Sequence, residues 1–412
     1  MDVILERCAG LDVHQATVAA TVRSPGPRGE RMELCQTFGT TTPDLLTLRD
    51  WLLAQGVTHV AMESTGVYWK PVYYVLEEAV TVLLVNAAHV KNVPGRKTDV
   101  QDSAWLAQLL ECGLLRGSFV PPPAIRELRD LTRYRKTQIQ ERAREANRLH
   151  KVLEDAGIKL ATVASDVLGV SGRAMLAALV EGTTDPLVLA DLARGKLRKK
   201  LPALRRALTG RFRTHHAFLA GQILAHLDYL EESIAALSQE IEMHLHPFAR
   251  AAERLQTIPG VEQRTAEVLV AEIGVDMARF PTAGHLASWA GLCPGNNESA
   301  GKRKRGTTRK GCKWLRIALI EAALAATRKK GCALGARYRR VMRHRGHKKA
   351  IVAVAHAILE LAYHLLAQQT TYHELGADYF DRRDKERAAR RYVHLLENLG
   401  HRVTLESLPI AA

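Results

Sequence analysis

Through the first 118 residues short apolar runs alternate with polar turns at the two-residue period of strands, and beyond them the spacing lengthens to that of helices. Cys8–Val13 and Ala16–Val22 read as two strands joined by a tight turn, and Met32–Phe38 as a third. Asp44–Gln55 then takes a helical period, Val57–Met62 a strand, Val67–Glu78 a helix and Thr81–Asn86 a strand; Val100–Leu110 is a helix ending near Gly113. The run Phe119-Val-Pro-Pro-Pro123 cannot continue a helix, so it marks a domain boundary. Past it one long helix, about Ala124 to Glu154, carries Leu128, Leu131, Ile139, Ala146, Leu149 and Leu153 on one face. Arg126, Arg129, Arg133, Arg135, Lys136, Arg142, Arg144 and Arg148 crowd the rest of it. Ile223, Leu227, Leu230, Ile234, Leu237 and Ile241 step by four and three. That is the seam of a coiled coil, of an antiparallel helical hairpin, or of an ordinary core helix in a bundle.

Three strands followed by alternating helices and strands is the element order of the ribonuclease-H-like fold, an order that other α/β folds share. The sequence therefore predicts an α/β front domain over residues 1–118 and a basic helical and coiled-coil region over 119–250. A mostly helical unit with a helix-hairpin-helix follows over 251–370, and a charged tail over 371–412 has one more helical stretch.

Charge sharpens this division. The net charge is +16, yet residues 1–120 hold 13 acidic against 10 basic side chains, and residues 121–412 hold 30 against 49. A mildly acidic front and a rear carrying +19 suggest chemistry in one part and a grip on a polyanion in the other. Arg194–Arg213 alone carries nine Lys or Arg residues, which points to RNA or DNA contact rather than a merely solvated face. Six scattered cysteines without a C-x-x-C pair argue against structural zinc or a disulfide framework. No continuous run of about 18 apolar residues and no leader pattern is present, so the expected setting is cytoplasmic, with the nucleoid and not a membrane.

Four carboxylates stand where such a fold would gather them. Asp12 ends the first strand, Glu63 ends the fourth, and Asp99 and Asp102 open the helix after the fifth. Strand ends converge at one sheet edge, and helical residues three apart share a face. Four clustered carboxylates repel unless a divalent cation compensates them, and Mg²⁺ prefers such hard oxygens together with a phosphate. Two such ions would activate an attacking oxygen and stabilise the leaving one. Each residue alone has a plainer reading as a turn residue or helix cap; their joint placement favours the metal site.

Two features of the rear suit DNA. Leu255–Leu269 has the form of a helix-hairpin-helix, with Pro259 and Gly260 at the turn and the second helix offering free N–H groups to a phosphate. Farther on, Lys302, Arg303, Lys304, Arg305, Arg309, Lys310, Lys313 and Arg316 fill a glycine-bearing loop with no acid from Ser299 to Ile320. Ser299 heads this positive field, and surrounding cations favour a serine alkoxide and the charge of a phosphoryl transition state. His215, His216, His344 and His347 have no carboxylate or cysteine partner at metal spacing, and read as surface or phosphate-contacting residues.

Gly10-Leu-Asp-Val-His14, Met62-Glu-Ser-Thr-Gly-Val-Tyr-Trp69 and Val93-Pro-Gly-Arg-Lys-Thr-Asp-Val-Gln-Asp102 resemble the DEDD, RuvC-like domain of the insertion-sequence-110 family of transposases, the bridge-RNA-guided recombinases. Ile258-Pro-Gly-Val261, Gly291-Leu-Cys-Pro-Gly295 and Ser299-Ala-Gly-Lys302 resemble that family's C-terminal transposase domain. The resemblance implies Asp12, Glu63, Asp99 and Asp102 as metal ligands and Ser299 as a nucleophile that bonds covalently to a DNA phosphate. It further implies a homotetramer with shared active sites, and a noncoding guide RNA that selects donor and target DNA. Ala300 stands where many relatives have Gly, and Cys312 where Asn is expected. The competing expectations are a metal-dependent junction-resolving endonuclease, which would not need Ser299, and a nonenzymatic nucleic-acid-binding relative.

Overall fold

Strand alternation in the front resolves into one five-stranded sheet of order β3-β2-β1-β4-β5. In chain order the elements are β1 (Cys8–Val13), β2 (Thr17–Pro25), β3 (Arg31–Gly39), α1 (Thr42–Ala54), β4 (His59–Glu63), α2 (Trp69–Leu76), β5 (Thr81–Val85), α3 (Ala87–Val90) and α4 (Asp102–Glu111). The first three strands are antiparallel neighbours, whereas β4 and β5 run parallel to β1. This computed structural model describes residues 3–27, 30–64, 66–90, 102–294, 298–299, 301–303, 307–308 and 310–405. It divides into two units, Met1–Val120 and Pro121–Ala412.

Because side chains alternate across a strand, the sheet has two different apolar faces. Ala9, Leu11 and Val13 pack with Leu45, Leu48 and Leu52 of α1 and with Val72 and Leu76 of α2. Cys8 and Ala61 belong to the opposite face, with Leu106, Leu109 and Leu110 of α4. Gly10 shares that second face, and its missing Cβ lets α4 come down onto β1. An added Cβ would sit 2.5 Å from the Ala107 amide nitrogen and 2.9 Å from Leu106 Cβ.

The rear unit is helical: α5 (Pro123–Asp155), α6 (Val170–Val180), α7 (Pro186–Asp191), α8 (Leu201–Leu208), α9 (Thr214–Leu245), α10 (Ala249–Gln256), α11 (Gln263–Ile273) and α12 (Ala283–Trp289). A short hairpin, β6 (Glu298–Ser299) and β7 (Lys302–Arg303), precedes α13 (Lys313–Arg328), α14 (Ala333–Arg345), α15 (His347–Gln368), α16 (Tyr379–Arg383) and α17 (Lys385–Asn398). The heptad seam lies on α9 and is used within the chain, where α9 packs along α5. Arg142–Glu231, Arg135–Ser238 and His216–Asp155 are paired at falling and rising residue numbers, so the two helices run antiparallel.

The arginines crowded on α5 are not a free basic face. Arg133 grips the buried Glu272 of α11 with two bonds of 2.7 and 2.8 Å. Arg129 donates to the carbonyls of Ala271 and Glu272, closing the last turn of α11. Arg135 and Glu267 form a fully buried ion pair, and Lys136, Arg142, Arg144 and Arg148 pair with Glu321, Glu231, Glu141 and Glu145. By length and composition α15 could cross a membrane, yet it buries Ala350, Ile351, Val354, Ile358, Leu359 and Ala362 within this unit.

Candidate functional site

Asp12 and Glu63 lie one residue beyond the last β1–β4 pair, Leu11 with Met62, so they end neighbouring parallel strands. Asp12 has the parity of Cys8 and Gly10, and Glu63 that of Ala61, which turns both toward the α4 face. Asp102 is the first residue of α4, and α4 is fastened near both ends. Near its start the Ser103 hydroxyl lies 2.8 Å from that of Thr21 on β2. At its far end the buried Glu111 accepts from Arg23 at 3.0 Å and pairs with Arg31. Between these ties the Cys8 thiol donates to the Ala107 carbonyl, and burial, then the charge of Glu111, push that thiol up to about 11. Cys8 is therefore an inert packing group.

Asp12 and Glu63 thus share one face and one sheet edge, and Asp102 opens the helix packed on that face; Asp99 lies outside the described residues. All are hard oxygen donors, a set that fits a divalent ion such as Mg²⁺. They form an open edge rather than a closed cage: Asp12, Glu63 and Asp102 are not among the described groups whose three donor atoms lie within 4.8 Å of one another. His14, two residues after Asp12 and just past the end of β1, was not anticipated from the sequence. Its Nε2 lies 3.1 Å from an Asp12 oxygen.

The group within that 4.8 Å limit is Asp155, His215 and His216, which corrects the reading of these histidines as lacking a carboxylate. The partner comes from the end of α5, 61 residues away. His216 is buried, and its Nδ1 accepts the Arg213 amide at 3.0 Å, capping α9. A neutral ring that accepts at Nδ1 carries its proton at Nε2, which then donates to Asp155 at 2.9 Å. Metal binding at Nε2 would cost both bonds, so the trio is a helix-cap assembly. His347 likewise has a local partner, its Nδ1 lying 2.8 Å from the Tyr338 hydroxyl.

In the rear unit the serine segment is a hairpin rather than a loose loop. Ser299 stands opposite Lys302 in the β6–β7 ladder, and Pro294 bridges Thr308 at its base. Gly301 makes the return at φ 72°, a left-handed conformation suited to glycine. Gly311 then passes so close to the backbone of Ala290 and Gly291 that a Cβ would lie 2.5 Å from the Gly291 nitrogen. Lys302, Lys310 and Lys313 are exposed, Arg316 is half-buried, and Lys313 lies over the Trp314 ring. Lys304, Arg305, Arg309 and Ala300 fall outside the described residues. Cys312 stands at the N-cap of α13 without capping it; its thiol instead donates to Glu272 at 3.2 Å. Burial and then the Glu272 charge raise this thiol above its ordinary value.

The expected helix-hairpin-helix corresponds to α10, the Ile258–Val261 turn and α11. Pro259 is buried, and Gly260, at φ 85°, lies against the backbone of α13, where a Cβ would meet the Ala326 nitrogen at 2.6 Å. Those two residues serve packing. What the turn exposes is the first part of α11, Glu262, Gln263 and Arg264.

Among the described residues, two basic surfaces stand out as exposed. One is Arg194, Lys196, Arg198, Lys199, Arg206, Arg211 and Arg213, from the stretch expected to meet nucleic acid. The other, not singled out from the sequence, is Arg339, Arg340, Arg343, Arg345, Lys348 and Lys349 around the α14–α15 turn. A signal was available: no acidic residue occurs between Glu321 and Glu360.

Comparison with known proteins agrees with both halves of the chain. Residues 9–158 match the DEDD transposase model of the IS110 type, described as "Transposase". Residues 252–339 match a model described as "Transposase IS116/IS110/IS902 family". The chain is 26% identical over 326 residues to the "Transposase for insertion sequence element IS1111A" of Coxiella burnetii, covering 76% of this chain and 79% of that protein. It is 31% identical over 150 residues to the "Insertion element IS110 uncharacterized 43.6 kDa protein" of Streptomyces coelicolor, covering 35% of this chain and 36% of that one. With its two matched regions in the order and separation of the carboxylate-bearing sheet and the serine hairpin, the chain belongs to the IS110 family of insertion-sequence transposases.

Proposed function

We propose that this transposase cuts and rejoins DNA with a carboxylate-held divalent metal and Ser299 as the nucleophile. The observation that carries the reading is the shared facing of Asp12 and Glu63 at one sheet edge, with Asp102 opening the helix that is fastened onto that face near both ends. The strand order β3-β2-β1-β4-β5, with β2 running against the other four, supports a ribonuclease-H-like, RuvC-like front domain.

Asp12, Glu63 and Asp102, together with Asp99, would hold Mg²⁺, the ion their donor chemistry suits best. Bound there, the ion supplies charge to polarise a phosphodiester and stabilise the departing oxygen. His14 orients Asp12 through their hydrogen bond. In this reading the Ser299 hydroxyl attacks phosphorus and the P–O bond to one DNA strand breaks. That strand departs as an alcohol carrying the proton, and a phosphoserine link conserves the bond energy for rejoining. The exposed lysines of the hairpin stabilise phosphate charge, and the first turn of α11 offers backbone amides to DNA phosphates. The partners we infer are the DNA of the element ends and target, a noncoding guide RNA, and further copies of this chain in a tetramer, acting in the cytoplasm at the nucleoid.

A nicked DNA substrate that traps the covalent step tests this. The expected product is an SDS-resistant protein–DNA complex with the nucleotide mapped to Ser299 by mass spectrometry. Ser299→Ala should lose the adduct and recombination while retaining DNA affinity. Wild-type cutting by Ser299→Ala without an adduct would replace this reading with a metal-dependent junction-resolving endonuclease.

A further inference from the structure

At the foot of the serine hairpin the fold assembles three groups that no part of the proposed reaction uses. Cys293 immediately precedes Pro294, whose backbone bridges Thr308 to close the hairpin base. Its sulfur lies 3.7 Å from Nε2 of His356 on α15, 63 residues away. On the other side of the ring, His356 Nδ1 lies 3.3 Å from a carboxylate oxygen of Glu360, one helical turn on.

The order of these contacts sets the proton positions. A carboxylate only accepts, so Glu360 holds the His356 proton on Nδ1 and leaves the Nε2 lone pair toward the thiol. An imidazole placed this way takes the thiol proton, and its positive charge then favours the thiolate. The protein's other described thiols lack this arrangement. Cys8 and Cys332 are buried, and Cys112, half-buried just past the end of α4, has no histidine contact among the described residues. Cys312 faces the negatively charged Glu272, and Cys35, though exposed, contacts the Thr21 hydroxyl. Cys293 itself is half-buried, within reach of a small molecule.

We propose that Cys293, His356 and Glu360 form a reactive-thiol site that takes small disulfides, with Cys293 as the modified residue. The thiolate attacks one sulfur of the disulfide as the S–S bond breaks. The second sulfur leaves with the electron pair and takes the proton held on His356. One mixed disulfide and one free thiol result, with no outside oxidant.

Exposure alone and the assembled site predict opposite orders, which makes the test direct. Full-length protein is treated at neutral pH with 2-hydroxyethyl disulfide, a neutral probe, then quenched and mapped by peptide mass spectrometry over time. Cys293 should be modified roughly 10-fold faster than the more exposed Cys35. His356→Asn should bring Cys293 down to about the Cys35 rate, with Cys35 unchanged. Glu360→Gln, at a partly exposed position, should slow Cys293 by about 3-fold. If His356→Asn disturbs the rear unit, the buried Cys332 will become labelled, and the wild-type order with Glu360→Gln then decides. Modification of Cys35 ahead of Cys293 in the wild type, or an unchanged Cys293 rate in a folded His356→Asn or in Glu360→Gln, overturns the proposal.

Discussion

Replacing Gly10 by alanine adds one methyl group at the point where α4 meets β1. The new Cβ would lie 2.5 Å from the Ala107 nitrogen and 2.9 Å from Leu106 Cβ, and it would also collide with the Ser103 carbonyl oxygen. Ordinary contacts begin at 3.4 Å, and two of these obstacles are backbone atoms that no rotamer change can move. The helix must therefore lift by about 1 Å, an overpacking that costs about 1–3 kcal/mol. Lifting also stretches the 2.8 Å bond between Ser103 and Thr21, which adds about 1 kcal/mol. Asp102 rides on the same helix, so it shifts against Asp12 and Glu63, and a misplacement of this size lowers the rate of a positioned reaction by about 100-fold. The assay pairs urea unfolding of the full chain with the metal-dependent cleavage rate and the affinity for duplex DNA. The front unit should melt at lower urea and cleavage should fall by about two orders of magnitude, with affinity within about twofold of wild type. Wild-type cleavage and an unshifted unfolding curve in Gly10→Ala would refute the close seating of α4 and its role in aligning Asp102.

Asp12→Asn or Asp102→Asn, like EDTA, should abolish strand cleavage while leaving nucleic-acid binding in place, and added Mg²⁺ should restore only the EDTA-treated protein; a gel cleavage assay reads each. The paired change Lys348→Gln and Lys349→Gln should lower the slope of log affinity against log salt by up to about 2, from the two exposed cations removed. Glu267→Ala strands the buried Arg135 and should destabilise the rear unit by about 3–5 kcal/mol, whereas Glu267→Leu with Arg135→Met should recover most of that in a denaturant titration. The hydrogen bond from His216 holds the Asp155 carboxyl below the usual range. Its stabilising contribution is therefore present above the unfolded carboxyl pKa and is lost as pH falls through the lower folded value. Asp155→Asn should flatten that acid limb in thermal melts.

The front unit was legible because its information is local. Period-two alternation located β1 to within its observed ends, and the parity of Asp12 with Gly10 and of Glu63 with Ala61 follows from the same rule. What stayed hidden is tertiary pairing. Asp155 reaches His216 across 61 residues, His356 reaches Cys293 across 63, and Arg135 meets Glu267 across 132; no periodicity reports such contacts. Charge misled for the same reason. The α5 arginines count fully toward the +16 of the chain, although carboxylates from α9, α11, α13 and α5 itself neutralise most of them. Gly260 shows a subtler limit: the Pro-Gly pair announces a turn, but only the neighbouring α13 backbone explains why the second residue has no side chain.

The long α5 helix has a mechanical consequence. Its 33 residues span about 50 Å at 1.5 Å per residue. Near one end Arg129, Arg133 and Arg135 weld it to α11, while at the other Leu149 and Leu153 are sunk in the core built around Met175, Leu189 and Leu204. A rod clamped at both ends acts as a lever. A tilt of about one degree at Leu153 carries Arg129, about 36 Å away along the helix, through roughly 0.6 Å, more than half of the displacement worked out for α4. Whatever loads the helices between Val170 and Leu208 is thereby felt at the attachment of α11, through the stiffness of one helix and without a chain of intervening side-chain rearrangements.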